Sequence, residues 1–179
     1  MNFKWTLYLA IPVVAFLIWQ FNHFEGRFAD VPSDVEKKGT DLVVGFYNVE
    51  NLFDTIDDKR IDDNEFLPTS KSQWTSERYR IKLQRIARVL DAMNNGNGVD
   101  VLGVCEIENR AVLEDLVREP QIATDKYGIV HYDSPDQRGI DVALLYKQDK
   151  FKPISSKAIN VSMEDEPNFK TRDILWVTG

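Results

Sequence analysis

The stretch VDVLGVCEIENR, residues 99–110, starts as a buried strand and runs straight into carboxylates. Val99, Val101, Leu102, Val104 and Cys105 are core residues by type, whereas Glu106 and Glu108 are not. The apolar run breaks the alternation expected of a strand with one wet face, so the strand is expected to be covered on both faces, as in α/β sheets. Its carboxyl end then falls where the strands of such a sheet open onto a cleft. Two readings of the glutamates follow. They open the next helix, where the dipole favours acids in the first turn, or Glu106 holds a metal ion.

The flanking sequence supports the α/β reading. Residues 41–49, DLVVGFYNV, form a predicted strand with Leu42, Val44, Phe46 and Asn48 on one face. A helix is predicted from Thr75 or Ser76 to about Met93, because Tyr79, Leu83, Ile86, Leu90 and Met93 make one apolar stripe. The run NNGNG after it is a stop signal. A shorter helix carrying Val112, Leu113, Leu116 and Val117 follows the quoted strand. YGIVHYD, IDVALLYK, AINVS and RDILWVTG then read as further strands. The long acidic segment 54–72 reads as a loop, and it lacks the alternating frame of a calcium loop.

The chain has 179 residues, 43% of them hydrophobic and 28% charged, a balance that suits one globular domain. A net charge of -7 argues against a generally basic, nucleic-acid-coating surface. The single cysteine, Cys105, excludes an intrachain disulfide and reads as a small core residue. Residues 1–22 differ from the rest. Trp5 to Phe21 carries no charge and reaches about 25 Å as a helix, close to a membrane span. Bulky residues follow where a cleavage site wants small ones, so an uncleaved transmembrane anchor is expected, with a cleaved signal sequence as the rival. Lys4 ahead of the run places the remainder outside the cytoplasm; after cleavage it would be secreted or periplasmic. Residues 23–40 read as a polar linker and 41–179 as the folded part.

Candidate site residues gather at strand ends. Asn48 ends the first strand and Glu106 the second, so parallel neighbours would bring both to one cleft. One carboxylate with an amide and waters suits Mg²⁺. Asp136, Arg138 and Gly139 sit in a turn before the strand at Asp141. Arg138 either forks onto a phosphate or pairs with Asp136. Arg172 is a second phosphate candidate, and His131, inside a strand, reads as structural.

Four blocks, VGFYNVENLFD, VDVLGVCEIENRAVLEDL, YDSPDQRGIDVALLYK and TRDILWVTG, together resemble the endonuclease/exonuclease/phosphatase superfamily, in particular its bacterial branch with the NVENLFD opening. The resemblance implies a four-layer α/β/β/α sandwich and Mg²⁺-dependent phosphoester hydrolysis, with Mn²⁺ or Ca²⁺ as substitutes and nucleic acid among the substrates. It makes Glu106 the metal ligand, with Asn48 helping to position metal and phosphate. It assigns Arg172 to phosphate, and Asp136 and Arg138 to the branch's own pattern, read as substrate-phosphate binding. The superfamily's later motifs, a GDFND-like and an SDH-like block among them, have no match here. The expectation is therefore an N-terminal part of such a domain, inactive alone for want of a general base and poorly stable because the apolar partners of its second sheet are missing. The rival readings are a non-catalytic phosphate or nucleic-acid binding module and a membrane-anchored interaction domain.

Overall fold

A computed structural model describes residues 42–179 apart from Pro167. The expected anchor at 1–22 and linker at 23–40 lie outside the described residues. Among the described residues no helix is long and apolar enough to cross a membrane. The elements are β1 (Val44–Leu52), α1 (Ser76–Gly96), β2 (Val101–Ile107), α2 (Arg110–Val117), β3 (Tyr127–His131), β4 (Asp141–Lys147), β5 (Ser155–Ile159) and β6 (Ile174–Thr178). One sheet has the order β1-β2-β4-β3, and β5 and β6 form a two-stranded sheet. β1 and β2 run parallel, while β2–β4, β3–β4 and β5–β6 are antiparallel.

Local chemistry accounts for the boundaries. α1 starts at Thr75, whose hydroxyl accepts from the backbone N–H of Arg78. Regular helix ends before Met93, whose backbone is extended, and Asn94 and Asn95 turn left-handed. Asparagine tolerates that conformation, so the stop lies within the predicted NNGNG run. Asn109 caps α2 by accepting from the N–H of Val112 at 3.1 Å. Glu106 and Glu108 therefore precede the cap, and no acid occupies the first turn of α2. The helix-dipole reading of these glutamates fails.

The core lies between the helices and one face of the larger sheet. Leu83, Ile86, Ala87 and Leu90 of α1 and Val112, Leu113 and Leu116 of α2 pack on Val49, Leu52, Leu102, Val104 and Leu145. The opposite face is less covered. Val44 and Phe46 are each 69% exposed, and Gly103, Val142 and Leu144 line an open cleft of about 580 Å³ shared with β6. The sequence reading had β2 and β4 covered on both faces, and the second face is covered only in part. β5 starts three residues earlier than AINVS suggests, because Ser155–Ile159 is the segment that pairs with Ile174–Thr178. The α/β class is as expected, with two α-helices, a mixed four-stranded sheet and a separate two-stranded sheet.

Candidate functional site

The parallel ladder between β1 and β2 is regular up to the pair Asn48–Cys105 and resumes at Leu52–Ile107. The β2–β4 ladder slips at the same place, between Cys105 and Ile107. Glu106 is the residue left over. Its φ is +64°, and opposite it Glu50 and Asn51 stand at +55° and +60°. Asparagine tolerates this region, but a glutamate there costs of order 1–2 kcal/mol, so Glu50 and Glu106 at one rim are strain that the surrounding fold holds in place.

The bulge turns the Glu106 carboxylate toward β1. Its Oε1 accepts from Asn48 Nδ2 at 3.0 Å and its Oε2 from the Asn51 N–H at 3.1 Å. The Asn48 Oδ1 accepts from the Glu50 N–H at 2.7 Å, which fixes the amide's orientation. Each Glu106 oxygen carries one protein hydrogen bond and keeps lone-pair capacity on the half-exposed side. The predicted pair Asn48 and Glu106 is thus brought together, with Asn48 as the group that holds the glutamate.

The predicted arginines meet on Asp136. This buried carboxylate accepts from the Arg138 backbone N–H at 2.9 Å and from Arg138 Nε and Nη2, each at 3.3 Å. Arg172 Nη1 approaches the same Oδ2 at 3.9 Å. Pairing with Asp136, helped by the charge of Glu106, holds the Arg138 guanidinium firmly protonated. One edge of that guanidinium is taken and the other remains open. Asp136 is thus the carboxylate on which both arginines converge. Gly139 closes the turn at φ +66°, and a Cβ there would meet Ile61 at 2.2 Å. That contact seats the acidic segment against the turn, together with the Asp62 N–H on Gln137 O at 3.1 Å.

Glu108, two residues beyond Glu106, was noted in sequence only as an acid after a strand. It is 6% exposed, and its Oε2 accepts from the Asp54 N–H at 2.7 Å. Burial raises its pKa to about 7, helped by the charges of Asp54, Asp63 and Asp58 and opposed by the Asp54 N–H. It lines an open cavity of about 570 Å³ with Asp133, Asp136, Asp141 and Lys170. Lys82 was missed as well. Its Nζ donates to the carbonyl of Glu50, and burial lowers its pKa against the pull of Glu50 and Glu106. Its only signal in the sequence is a cation on the strand-facing side of α1.

His131, Asp133 and Asp141 bring potential ligand atoms within 4.8 Å of one another. Both imidazole nitrogens already face carboxylates, Nε2 to Asp141 at 3.0 Å and Nδ1 to Asp133 at 3.9 Å. Asp141 also accepts from the Ser134 N–H at 2.8 Å. The arrangement ties β3 to β4 and leaves His131 structural. Cys105 is half-buried, and burial raises its thiol pKa, which opposes nucleophilic use.

A family model described as endonuclease/exonuclease/phosphatase family matches residues 43–179. No curated protein and no solved structure matches the chain.

Proposed function

The chain belongs to the endonuclease/exonuclease/phosphatase family, a family of phosphoester hydrolases, and from that premise we propose a Mg²⁺-dependent phosphodiesterase with Glu106 as metal ligand. One observation carries the reading. Glu106 is held at a left-handed bulge by two N–H donors, with its free lone pairs on the half-exposed rim. A single oriented carboxylate with room for waters fits Mg²⁺, which keeps several waters and borrows phosphate oxygens. The ion supplies positive charge beside the phosphoryl oxygens. The residues of the chain do the rest. Asn48 and the Asn51 N–H fix the carboxylate. Arg138 and Arg172, steered by Asp136, offer guanidinium edges that match a phosphate in geometry and charge. Two arginines and one aspartate leave a surplus of one positive charge, which a phosphodiester anion neutralises.

The test is Glu106→Gln. Mn²⁺ binding followed by electron paramagnetic resonance should be lost in the variant while its urea melt stays that of the wild type. Hydrolysis of bis(p-nitrophenyl) phosphate by the natural gene product should need the metal and fall at least about 100-fold, near 2.7 kcal/mol of barrier. Wild-type turnover in EDTA, or unchanged Mn²⁺ binding by the variant, refutes the assignment. Phosphate binding without any turnover would favour the binding-module reading instead.

A further inference from the structure

The net charge of the chain is -7, yet α1 carries Arg78, Arg80, Lys82, Arg85 and Arg88 against only Glu77 and Asp91. Among the described residues none of these five cations forms an ion pair, whereas every described arginine outside α1 does. Arg78, Lys82 and Arg85 follow i, i+4, i+7 spacing, so they form one stripe along about 10 Å of helix. The stripe lines a groove of about 460 Å³ whose other wall is β1, the edge strand of its sheet among the described residues, at Tyr47 and Glu50. Ile81 and Val89, 38% and 40% exposed, give the groove an apolar floor.

Two features mark the groove as built rather than incidental. Trp74 is pinned by its indole N–H on the Phe53 carbonyl at 3.1 Å, and its ring lies 5.7 Å from the Arg78 guanidinium and 5.9 Å from Lys82 Nζ. Lys82 is half-buried on the groove wall, its Nζ fixed by the Glu50 carbonyl, and the charges of Glu50 and Glu106 only partly offset its desolvation. The groove also ends at the candidate site, because Lys82 holds the carbonyl of Glu50 and the next residue, Asn51, holds Glu106.

We propose that this groove binds the sugar–phosphate backbone of a single nucleic-acid strand whose neighbouring phosphate lies at Glu106. The inference rests on the phosphodiesterase reading of that site and narrows its substrate to a chain of phosphodiesters. Charge complementarity selects a polyanion. The concave shape selects a strand over the flat headgroup surface of a membrane, and continuity with Glu106 selects a phosphodiester over an acidic peptide. A cationic groove that tracks the backbone beside aromatic side chains is the way sequence-tolerant strand binding works, and Tyr47 and Trp74 line this one.

The test reads binding, not turnover. A labelled single-stranded DNA of about 20 nucleotides is titrated with the full chain in EDTA over a salt series, by fluorescence anisotropy. Arg78→Ala/Lys82→Ala/Arg85→Ala should lower the log–log salt slope by about 2, at about 0.7 per phosphate contact, and weaken binding at least tenfold. Lys82 is half-buried, so exposed Arg85→Ala alone is the second arm, with a slope loss of about 0.7. Arg78→Lys/Arg85→Lys should keep the slope. An unchanged slope in both alanine variants overturns the proposal. So does a loss confined to phosphatidylglycerol vesicles, which would make the stripe a membrane contact. In EDTA, failure of the metal assignment leaves this slope unaffected, so the two readings fail separately.

Discussion

Along β1, Val49 and Leu52 are 3% and 0% exposed beneath the helices, while their neighbours Asn48, Glu50 and Asn51 form a rim that is exposed or half-exposed. The same nine residues thus serve two purposes. On the covered face Val49 and Leu52 pack in the core formed with α1 and α2. At the rim the ladder slips, and Glu50, Asn51 and Glu106 take left-handed backbone. The comparison teaches where stability and chemistry reside. The covered face supplies free energy that holds a strained rim in one conformation, and the rim uses that rigidity to present a carboxylate.

The largest effect should come from the covered face. Leu102 is fully buried opposite Gly45 and Leu145 in the two ladders. Leu102→Ala should cost about 3–5 kcal/mol, the removed methylenes plus the cavity left behind. Phe46→Ala, on the open face of the same sheet, should cost well under 1 kcal/mol, because its ring already meets solvent. Chemical denaturation of both variants measures the asymmetry directly. Equal losses would mean that the open face is covered in solution and that the comparison is drawn in the wrong place.

The second effect belongs to the rim and depends on pH. Glu108 has a pKa near 7 in the fold against 4.5 as its ordinary value, mainly because it is buried. The folded state therefore binds a proton that the unfolded state releases between those values. Its contribution is fully favourable below about pH 4.5 and is lost as pH rises through 7. Glu108→Gln removes the ionisation and can still accept from the Asp54 N–H. The variant should match the wild type at pH 4.5 and exceed it at pH 8 by up to about 3 kcal/mol, at 1.36 kcal/mol per pKa unit. Urea melts in EDTA at the two pH values measure it. A constant difference across pH would show that Glu108 is not buried as a neutral acid.

Much of this division was legible in the sequence. The stripe from Tyr79 to Leu90 marked α1, and the apolar run before Glu106 marked β2 and its open end. Asn48 and Glu106 stood out as polar residues at the ends of apolar runs, and Asp136 and Arg138 as charged residues in a turn before a strand. What was illegible depends on contacts distant in sequence. Nothing local distinguishes Glu108 from Glu106, and their fates diverge because Asp54, far upstream, folds back onto one of them. The bulge at Glu106 is equally hidden, since it arises from two ladders slipping together. AINVS reads as a strand in the sequence, but pairing with β6 selects Ser155–Ile159. The unpaired cations of α1 were visible as residues, and only the fold shows that three of them share a groove with the edge of β1.

The smallest effect separates strain that is used from strain that is merely tolerated. Lys126 also has left-handed backbone, φ +52°, at the end of the short turn Ala123–Asp125. It is exposed, and it lies on the approach to β3 rather than at the β1–β2 rim. Glycine adopts that conformation without the Cβ penalty, although it loses more entropy on folding. Lys126→Gly should raise stability by about 0.5–1 kcal/mol with Mn²⁺ binding unchanged. Glu106→Gly relieves the same kind of strain but removes the carboxylate and both of its hydrogen bonds. It should gain no stability and lose the metal. If Lys126→Gly instead destabilised the fold, left-handed backbone would carry no measurable strain in this protein. The bulge at Glu106 would then need another explanation, such as a hydrogen-bond network strong enough to favour it outright.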